Sequence, residues 1–284
     1  MKGLTNIGNT CYLNAALQML LLNSDFTNLI LSYNGCRSEI LNEISKLIIN
    51  YYTSNLESIS PEIIKNIIKK KYKMFDGYQQ HDSYEFICCL FDIINDEINK
   101  ISNTNEKYNL YNIFGFELES RIKCKLLNCL YSSKKSDKEL MLHLTVEKTL
   151  EESFNTFKSR ELMINEYKCD KCQIKSLASK RLNILNYSNN LLICLKRFNC
   201  VNESCNKISD NIEIPLELPL ELSLSNYKLQ GAIIHSGSYS GGHYIYIGII
   251  NGIWYMFNDN YVTELKSNLR KELLNAYCIH YKLV

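Results

Sequence analysis

Long apolar runs, net charge and proline are all scarce in this sequence of 284 residues. No run approaches the roughly 18–20 apolar residues of a membrane span, and the first six residues carry no apolar signal region. The net charge of +2 gives no global field that would favour nucleic acid or a membrane surface. We interpret the 3 prolines, beside abundant Ile, Asn, Lys and Tyr, as a coding bias. We therefore expect a cytoplasmic or nuclear monomer that binds neither nucleic acid nor membranes.

The composition that remains is that of a folded protein with many thiols. Hydrophobic residues make up 46% of the chain, which is enough for a core, and the length suggests one large domain or two lobes. The 12 cysteines would stay reduced in the cytoplasm or nucleus. We therefore expect them to be catalytic residues, metal ligands or core residues, and not disulfides.

Hydrophobic periodicity changes from helical to strand-like near residue 114. Spacings of three and four residues predict helices over residues 11–22, 38–51, 61–72 and 82–99. Short β-like runs follow at residues 114–123, 140–146, 179–186, 190–198, 228–236, 243–250, 253–257 and 277–283. Helices first and strands later predict an α+β protein in which a helical lobe packs on a sheet lobe.

Cys11 lies where the first predicted helix begins. Free N–H groups and the positive end of the helix dipole stabilise a thiolate at such a position. In the preceding turn, glycines let the backbone approach a substrate, and the Asn6 amide would donate to a developing oxyanion if the loop folds back. Taken alone, a buried core cysteine is the commoner explanation for a free thiol. The hypothesis of a nucleophile therefore requires a base.

His243 is the candidate base, because it alone among five histidines follows a glycine-rich approach, residues 236–242. The alternative is a satisfied histidine at the start of a strand. The Asn-Gly dipeptide at 251–252 predicts a tight hairpin that pairs Ile250 with Ile253.

This hairpin register determines which side chain can orient the imidazole. Asn258 shares a face of the sheet with His243 and is a diagonal neighbour within side-chain reach. Asp259 points to the other face, although a bulge or an odd-length loop would reverse the assignment. We therefore expect Asn258 to orient His243, with Asp259 as a substitute or helper.

Four cysteines have the spacing of a structural metal site. They form a C-x4-C pair and a C-x2-C pair, each near the end of a β-like run, at Cys124, Cys129, Cys169 and Cys172. Two such turns that face each other give four sulfur ligands for one zinc ion, and a filled coordination sphere makes the site structural. The alternative is four free thiols. We interpret Cys200 and Cys205, a second C-x4-C pair, as loop or core thiols.

Several ordered segments together resemble the ubiquitin-specific protease family of papain-like deubiquitinases. Residues 3–14 (GLTNIGNTCYLN) are similar to its Cys box, and residues 77–86 (GYQQHDSYEF) to a second box. Residues 192–198 (LICLKRF), 235–259 and 276–281 (AYCIHY) resemble a central strand, the His box and the closing strand. The resemblance spans residues 3 to about 282, and five ordered motifs are far more specific than any one of them.

The resemblance implies one catalytic domain with a helical thumb, a β-sheet palm and zinc-ribbon fingers. It implies a thumb at about 1–110, fingers at about 114–200 and a palm at about 140–284, interleaved with the fingers. The implied catalytic residues are Cys11, His243 and Asn258, with Asn6 as oxyanion donor. The implied zinc ligands, at the fingertips, are Cys124, Cys129, Cys169 and Cys172. The residues implied to contact the ubiquitin tail are Gln80, Asp82, Glu85, Phe198, Gly242 and Tyr244.

The implied activity is hydrolysis of the peptide or isopeptide bond after the last glycine of ubiquitin. No cofactor is expected for the chemistry itself. Two departures stand in the second box, where His81 and Tyr84 replace the usual residues, and the first zinc pair is C-x4-C in place of C-x2-C. The alternatives are a protease for a ubiquitin-like modifier and a ubiquitin-binding module without catalysis. A zinc-ribbon nucleic-acid binder is disfavoured because the chain has no basic stripe.

Overall fold

A computed structural model describes residues 1–101, 108–129, 131–201, 204–219 and 225–284. The structure has the α+β fold class that the sequence predicted. The helices are α1 (Cys11–Leu21), α2 (Ser24–Ser32), α3 (Glu39–Thr53), α4 (Glu62–Lys71), α5 (Ser83–Ile101), α6 (Leu110–Ile113), α7 (Leu150–Lys158) and α8 (Leu269–Leu273). In this part of the chain, no helix is both long enough and apolar enough to cross a membrane.

The strands concentrate in the second half of the chain. They are β1 (Gly3–Leu4), β2 (Ser58–Ile59), β3 (Phe116–Cys124), β4 (Ser132–Glu139), β5 (Leu142–Leu144), β6 (Glu161–Lys168), β7 (Lys175–Leu185), β8 (Asn190–Leu195), β9 (Phe198–Val201), β10 (Ser204–Lys207), β11 (Glu217–Leu218), β12 (Tyr227–Gly237), β13 (Gly242–Ile250), β14 (Ile253–Asn258), β15 (Tyr261–Glu264) and β16 (Ala276–Leu283).

The helical lobe is built around α1, all of whose residues are buried. It lies between α5 on one side and β13 of the sheet lobe on the other. The cap of α2, Asn23, accepts from the Phe26 N–H and donates to Asn190 on β8. One hydrophobic core therefore continues from the helices into the sheet, and it includes Ile233 and Tyr246 from the strands.

The large sheet has the strand order β15-β14-β13-β12-β16-β8-β5, with β11 also paired to β12. The hairpin between β13 and β14 turns at residues 251–252, and Ile250 pairs with Ile253. Asn251 and Gly252 both have positive φ, at 50° and 82°, as a tight turn of this hand requires. The register predicted from the Asn-Gly dipeptide is therefore the observed one.

A second sheet, with the order β4-β3-β7-β6, extends from the large one. Its base packs into the sheet-lobe core through Phe116 and Ile184. At its other end β3 stops at Cys124 and β6 stops at Lys168, one residue before Cys169. This sheet therefore brings both cysteine pairs to a common tip.

Candidate active site

Cys11 is the first residue of α1 and is only 3% exposed. Burial raises the pKa of its thiol, the backbone N–H of Tyr244 lowers it by hydrogen-bonding the sulfur, and the charge of Asp259 raises it, with a net increase. Because Tyr244 directly follows His243, this contact brings the two ends of the chain together. The packing of α1 on β13 keeps Cys11 close to Tyr244.

The imidazole of His243 is held by Asn258. His243 Nε2 lies 2.7 Å from Asn258 Oδ1, so Nε2 carries the proton in this bond and Nδ1 stays available as a base. The hairpin register puts these side chains on one face, as expected from the turn. The His243 ring is therefore hydrogen-bonded to the side chain that shares its face of the hairpin.

Asp259 turns away from His243, at a φ of 50° just after β14. One carboxylate oxygen accepts from Asn6 Nδ2 at 2.8 Å and the other accepts from Asn14 Nδ2 at 2.7 Å. The Asn6 oxygen in turn accepts from the backbone N–H groups of Gly8 and Thr10. These contacts fix the orientation of the Asn6 amide, because only its nitrogen can face the carboxylate.

A cleft of about 680 Å³ lies between the helical lobe and the large sheet. Cys11 lines it, together with the six residues predicted to contact the ubiquitin tail, Gln80, Asp82, Glu85, Phe198, Gly242 and Tyr244. A cavity of this size is large enough for an extended segment of polypeptide. The structure therefore gathers residues from four separate sequence motifs at one site.

The two carboxylates of this cleft differ in their surroundings. Asp82 accepts from the hydroxyls of Tyr277 at 2.7 Å and Tyr244 at 3.3 Å, and it also accepts from the backbone N–H of Glu85. The Glu85 side chain is exposed and makes no hydrogen bond or ion pair within the described residues. Partial desolvation of its carboxyl by the cleft wall, followed by the neighbouring Asp82 charge, raises the pKa of Glu85. Glu85 is therefore the carboxylate open to a ligand.

Gln80 bridges the cleft. Its Oε1 accepts from the backbone N–H of Gly242 at 2.9 Å, which joins the helical lobe to the loop before His243. The segment that carries Gln80 is itself fixed, because Lys65 donates to the Gly77 carbonyl and the Tyr78 carbonyl accepts from Asn9. A side chain on Gly242 would clash with the His235 ring, so this wall of the cleft admits only glycine.

Aromatic side chains that were not predicted as site residues complete the cleft. Phe198 packs edge-on against His235 and Tyr277, with ring centroids 5.3 Å apart in both pairs. Burial, followed by the charge of Lys207, lowers the pKa of His235 to about 4, so its ring is neutral at physiological pH. His235 and Tyr277 lie inside the family motifs, which was the signal available from the sequence. His81, one of the two departures, packs among the rings of Tyr12 and Phe75.

The four predicted metal ligands meet at the tip of the second sheet. The sulfur atoms of Cys124, Cys129, Cys169 and Cys172 all lie within 4.8 Å of one another. Tight turns form both loops, since Cys129 N–H donates to Leu126 O and Gln173 N–H donates to Cys169 O. A C-x4-C pair has two more residues between its cysteines than a C-x2-C pair. Here the intervening loop projects outward, with Leu127 92% exposed, so the sulfurs of Cys124 and Cys129 still face the other pair. The group can hold a metal ion.

One cysteine prediction is wrong. Cys205 was expected to be a free thiol, but it is disulfide-bonded. Its backbone pairs with that of Cys200 across the β9–β10 hairpin. The expectation rested on the compartment inferred for the whole chain and did not consider local geometry. Backbone positions paired across a hairpin lie within the Cα separation that a disulfide can span.

Comparison with known proteins supports the motif-based resemblance. The family model described as ubiquitin carboxyl-terminal hydrolase matches residues 2–281. Ubiquitin carboxyl-terminal hydrolase 25 of Arabidopsis thaliana is 30% identical over 92% of this chain and 44% of its own length. Usp2 of Drosophila melanogaster is 28% identical over 99% of this chain and 34% of its own length. The chain therefore spans less than half the length of these two relatives.

Solved structures resemble the whole chain. The SAGA Ubp8/Sgf11/Sus1/Sgf73 DUB module bound to ubiquitin aldehyde matches with a TM-score of 0.86 and 27% identity, over 100% of this chain and 70% of that one. The same module bound to monoubiquitin gives a TM-score of 0.84 and 26% identity, over 100% and 69%. The predicted papain-like architecture of helical thumb, sheet palm and cysteine-tipped fingers is confirmed. This chain belongs to the ubiquitin carboxyl-terminal hydrolase family, the family of ubiquitin-specific thiol proteases that its motifs predicted.

Proposed function

We propose that this chain is a deubiquitinating cysteine protease that hydrolyses the bond after the C-terminal glycine of ubiquitin. One observation carries the proposal: the Cys11 sulfur contacts the backbone of the residue that follows His243, whose ring is bonded to Asn258. These two contacts support Cys11 as nucleophile, His243 as base and Asn258 as orienter, beside a cleft that can take an extended tail. The family relatives named for ubiquitin hydrolysis point to the same substrate.

The proposed reaction is acyl transfer through a thioester. Nδ1 of His243 takes the Cys11 proton, and the thiolate attacks the carbonyl of the last ubiquitin glycine. His243 then gives the proton to the leaving amine as the C–N bond breaks. Water, deprotonated by His243, hydrolyses the thioester and regenerates the thiol. Asn258 holds the imidazole in the tautomer that each step requires.

Asn6 is suited to stabilise the oxyanion. One of its two amide hydrogens bonds Asp259, which leaves the second hydrogen for a negative oxygen near Cys11. Asp259 would therefore contribute by holding the donor Asn6, which differs from the help in orienting His243 that was expected of it. Backbone N–H groups at the start of α1 would add to the same stabilisation.

The resting thiol needs a change on substrate binding. Because burial and Asp259 keep the pKa of Cys11 above its usual range, the free enzyme holds mostly thiol. A substrate carbonyl and a closer His243 ring would favour the ion pair. Residues 236–242 are suited to act as a mobile blocking loop, since glycines give them the freedom to move.

The residues proposed to contact the ubiquitin tail are of three kinds: charged, apolar and hydrogen-bonding. Glu85 offers a free carboxylate to the basic ubiquitin tail, and Phe198 and Tyr244 provide apolar walls. Gln80 and Gly242 would exchange their mutual hydrogen bond for bonds to the tail backbone. A channel too narrow for larger side chains would favour a diglycine tail by excluding other sequences.

We propose that the four-cysteine group holds one structural zinc ion. Four cysteine sulfurs within 4.8 Å of one another are a ligand set that zinc prefers, and four ligands would leave no open position for substrate. Zinc there would fix the two loops at the fingertips, where the body of ubiquitin would be gripped. We also propose one monomeric catalytic domain with the thumb, fingers and palm limits expected from the sequence.

Turnover of a ubiquitin C-terminal fluorogenic substrate tests the function. Wild-type protein should release the fluorophore, Cys11→Ala should abolish release while still binding ubiquitin, and a ubiquitin probe with a C-terminal electrophile should modify Cys11. Cys36→Ala, a partly exposed cysteine outside the cleft, serves as the control and should keep full activity.

Two other outcomes would replace the proposal. Reaction with a probe built on a ubiquitin-like modifier, and not with the ubiquitin probe, would assign the other modifier as substrate. Binding of ubiquitin without turnover by the wild-type protein would leave a binding module.

A further inference from the structure

Asp82 lies where the thumb meets the palm. It precedes the first residue of α5 and accepts from the backbone N–H of Glu85 with Oδ1, at 3.0 Å. Its other oxygen, Oδ2, accepts from Tyr277 on β16 and from Tyr244 on β13. We call Asp82, Tyr244 and Tyr277 the tyrosine clamp.

The clamp joins elements that have no direct backbone pairing. In the large sheet β12 lies between β13 and β16, and α5 belongs to the helical lobe. Tyr244 and Tyr277 are only 6% and 4% exposed, and their rings are 6.0 Å apart. A buried hydroxyl that donates to a carboxylate makes a strong, well-directed bond. One carboxylate therefore fixes two strands relative to one helix.

Tyr244 carries the effect of the clamp to the reacting groups. Its backbone N–H contacts the Cys11 sulfur, and it directly follows His243. A shift of the Tyr244 side chain would therefore move both the sulfur contact and the imidazole. Displacements of about 1 Å in such positions are enough to slow a reaction by orders of magnitude.

Asp82 has little capacity left for a ligand. A carboxylate has about four lone-pair positions, and three are occupied by the two hydroxyls and one N–H. Glu85, one turn further on, has its carboxylate free of such contacts in the described chain. The two acids of the same motif therefore perform different tasks.

We propose that Asp82 is a positioning residue, which clamps β13 and β16 to the start of α5 and so sets the geometry at Cys11, and that Glu85 alone reads the charge of the tail. This inference rests on the proposed function for its kinetic part. Its structural part concerns the folded chain and is independent of any substrate.

The first test separates the clamp from the helix cap. Asp82→Ser keeps an oxygen that can cap α5 but is too short to reach the tyrosine hydroxyls. We expect kcat for the ubiquitin fluorogenic substrate to fall on the order of tenfold, with KM changed less than about twofold. Tyr277→Phe should act in the same direction, and the double variant should be no worse than Asp82→Ser alone. If the kcat of the double variant falls by the product of the two single-variant factors, the two residues act independently and the clamp is wrong. A rise in KM without a fall in kcat would also overturn the clamp.

A matched control removes a buried hydroxyl elsewhere on the same strand. Tyr281 lies on β16 and its hydroxyl donates to the Pro215 carbonyl, away from the cleft. Tyr281→Phe should lower stability as much as Tyr277→Phe does but leave kcat unchanged. An equal loss of kcat in both variants would mean that general destabilisation explains the effect.

The second test asks which acid senses the tail. With a ubiquitin substrate whose basic tail residues are replaced by neutral ones, Glu85→Gln should have no further effect, whereas Asp82→Ser should cost the same factor as before. If the effect of Asp82→Ser disappears with the neutral tail, Asp82 reads charge and the proposal is wrong.

The third test needs no turnover and therefore stands apart from the proposed function. Urea unfolding of wild type, Asp82→Ser, Tyr277→Phe and the double variant should show coupling between the two sites, with the double variant as stable as Asp82→Ser. Additive losses would contradict the clamp even if the enzyme is active. If Asp82→Ser does not fold, Asp82→Thr takes its place in all three tests, because its hydroxyl can also cap α5 and is also too short to reach the tyrosine hydroxyls.

Discussion

Asp259 links three parts of the active site through one carboxylate. It holds Asn6 in the loop before Cys11 and Asn14 within α1, and its charge raises the pKa of the Cys11 thiol. The hairpin register predicted that it would face away from His243, but the contacts with Asn6 and Asn14 join segments almost the whole chain apart. No local pattern could have revealed them.

The charge of Asp259 should be measurable through the reactivity of Cys11. Asp259→Asn removes a negative charge that disfavours the thiolate, so the pKa of Cys11 should fall and iodoacetamide should alkylate it faster at pH 8. The check is the pH dependence of alkylation, read by mass spectrometry of the Cys11 peptide.

Glu264→Gln, an exposed acid further along on β15, is the control and should leave the profile unchanged. A profile for Asp259→Asn that matches the wild type would mean that burial alone holds the thiol protonated. Turnover should nevertheless fall in Asp259→Asn, because Asn6 loses its support.

Single elements were predictable where their own residues carried the signal. The turn at 251–252 has two residues that tolerate positive φ, and this local chemistry set the register of β13 and β14. By contrast, β4 (Ser132–Glu139) has no apolar residue and is almost wholly exposed, so no hydrophobic pattern marked it. It forms only because β3 offers a paired edge, which is a tertiary effect.

The hairpin turn should affect stability and not chemistry. Gly252 has a φ of 82° and open space around it, so Gly252→Ala pays only the backbone cost of that conformation. We expect the free energy of unfolding to fall by about 1 kcal/mol. Because the turn lies about 27 Å along β13 from His243, kcat should not change.

Urea unfolding and fluorogenic turnover measure the two quantities. Gly35→Ala, at a φ of 80° and equally unhindered, is the matched control and should cost a similar amount. A large loss of kcat in Gly252→Ala alone would show that the hairpin transmits strain to the site.

The fingertips should depend on metal. Purified protein should contain one zinc ion per chain, and Cys172→Ala should lose most of it because three sulfurs bind far more weakly than four. KM for ubiquitin should rise, whereas alkylation of Cys11 by a small reagent should keep its rate. Cys88→Ala, in α5 and outside the group, should retain the metal. Elemental analysis that finds no metal in active protein would remove the zinc site.

For the whole molecule, the order of helices and strands predicted the α+β class, but the meeting of distant segments was beyond local patterns. Cys11 and His243 were each plausible from their neighbours, and only the family resemblance joined them. The disulfide at Cys205 was missed because a compartment argument for the whole chain was applied to one hairpin. The clamp at Asp82 was missed because its tyrosines come from two distant strands.

Acid should destabilise the whole fold through buried neutral histidines. His280 lies between Asn23 and Asn190, and burial lowers its pKa to about 3. In the unfolded chain it binds a proton near pH 6.5. Stability is therefore complete above that pH and falls as the pH drops towards the folded pKa, by up to about 1.4 kcal/mol per pH unit. His235, with its pKa lowered to about 4, adds a loss of the same sign.

Urea unfolding between pH 7 and pH 5 tests this dependence. His280→Gln keeps a polar side chain without the titrating ring, so its stability should decline less steeply than that of the wild type. Parallel declines in the two proteins would mean that other groups govern the acid sensitivity.

The hydrogen bond between Gln80 and Gly242 has a consequence for which polypeptides would bind in the cleft. Unpaired backbone groups at the edge of a groove can bind any extended peptide. In this cleft the Gly242 N–H already donates to the Gln80 side chain from the opposite wall. An unrelated peptide that displaces Gln80 would replace the hydrogen bond to the Gly242 N–H with an equivalent one, so its gain in binding free energy would be small. A ligand that also binds at a site distant from the cleft would have enough binding energy to displace Gln80. Specificity would then come from the distant contacts and not from the cleft alone.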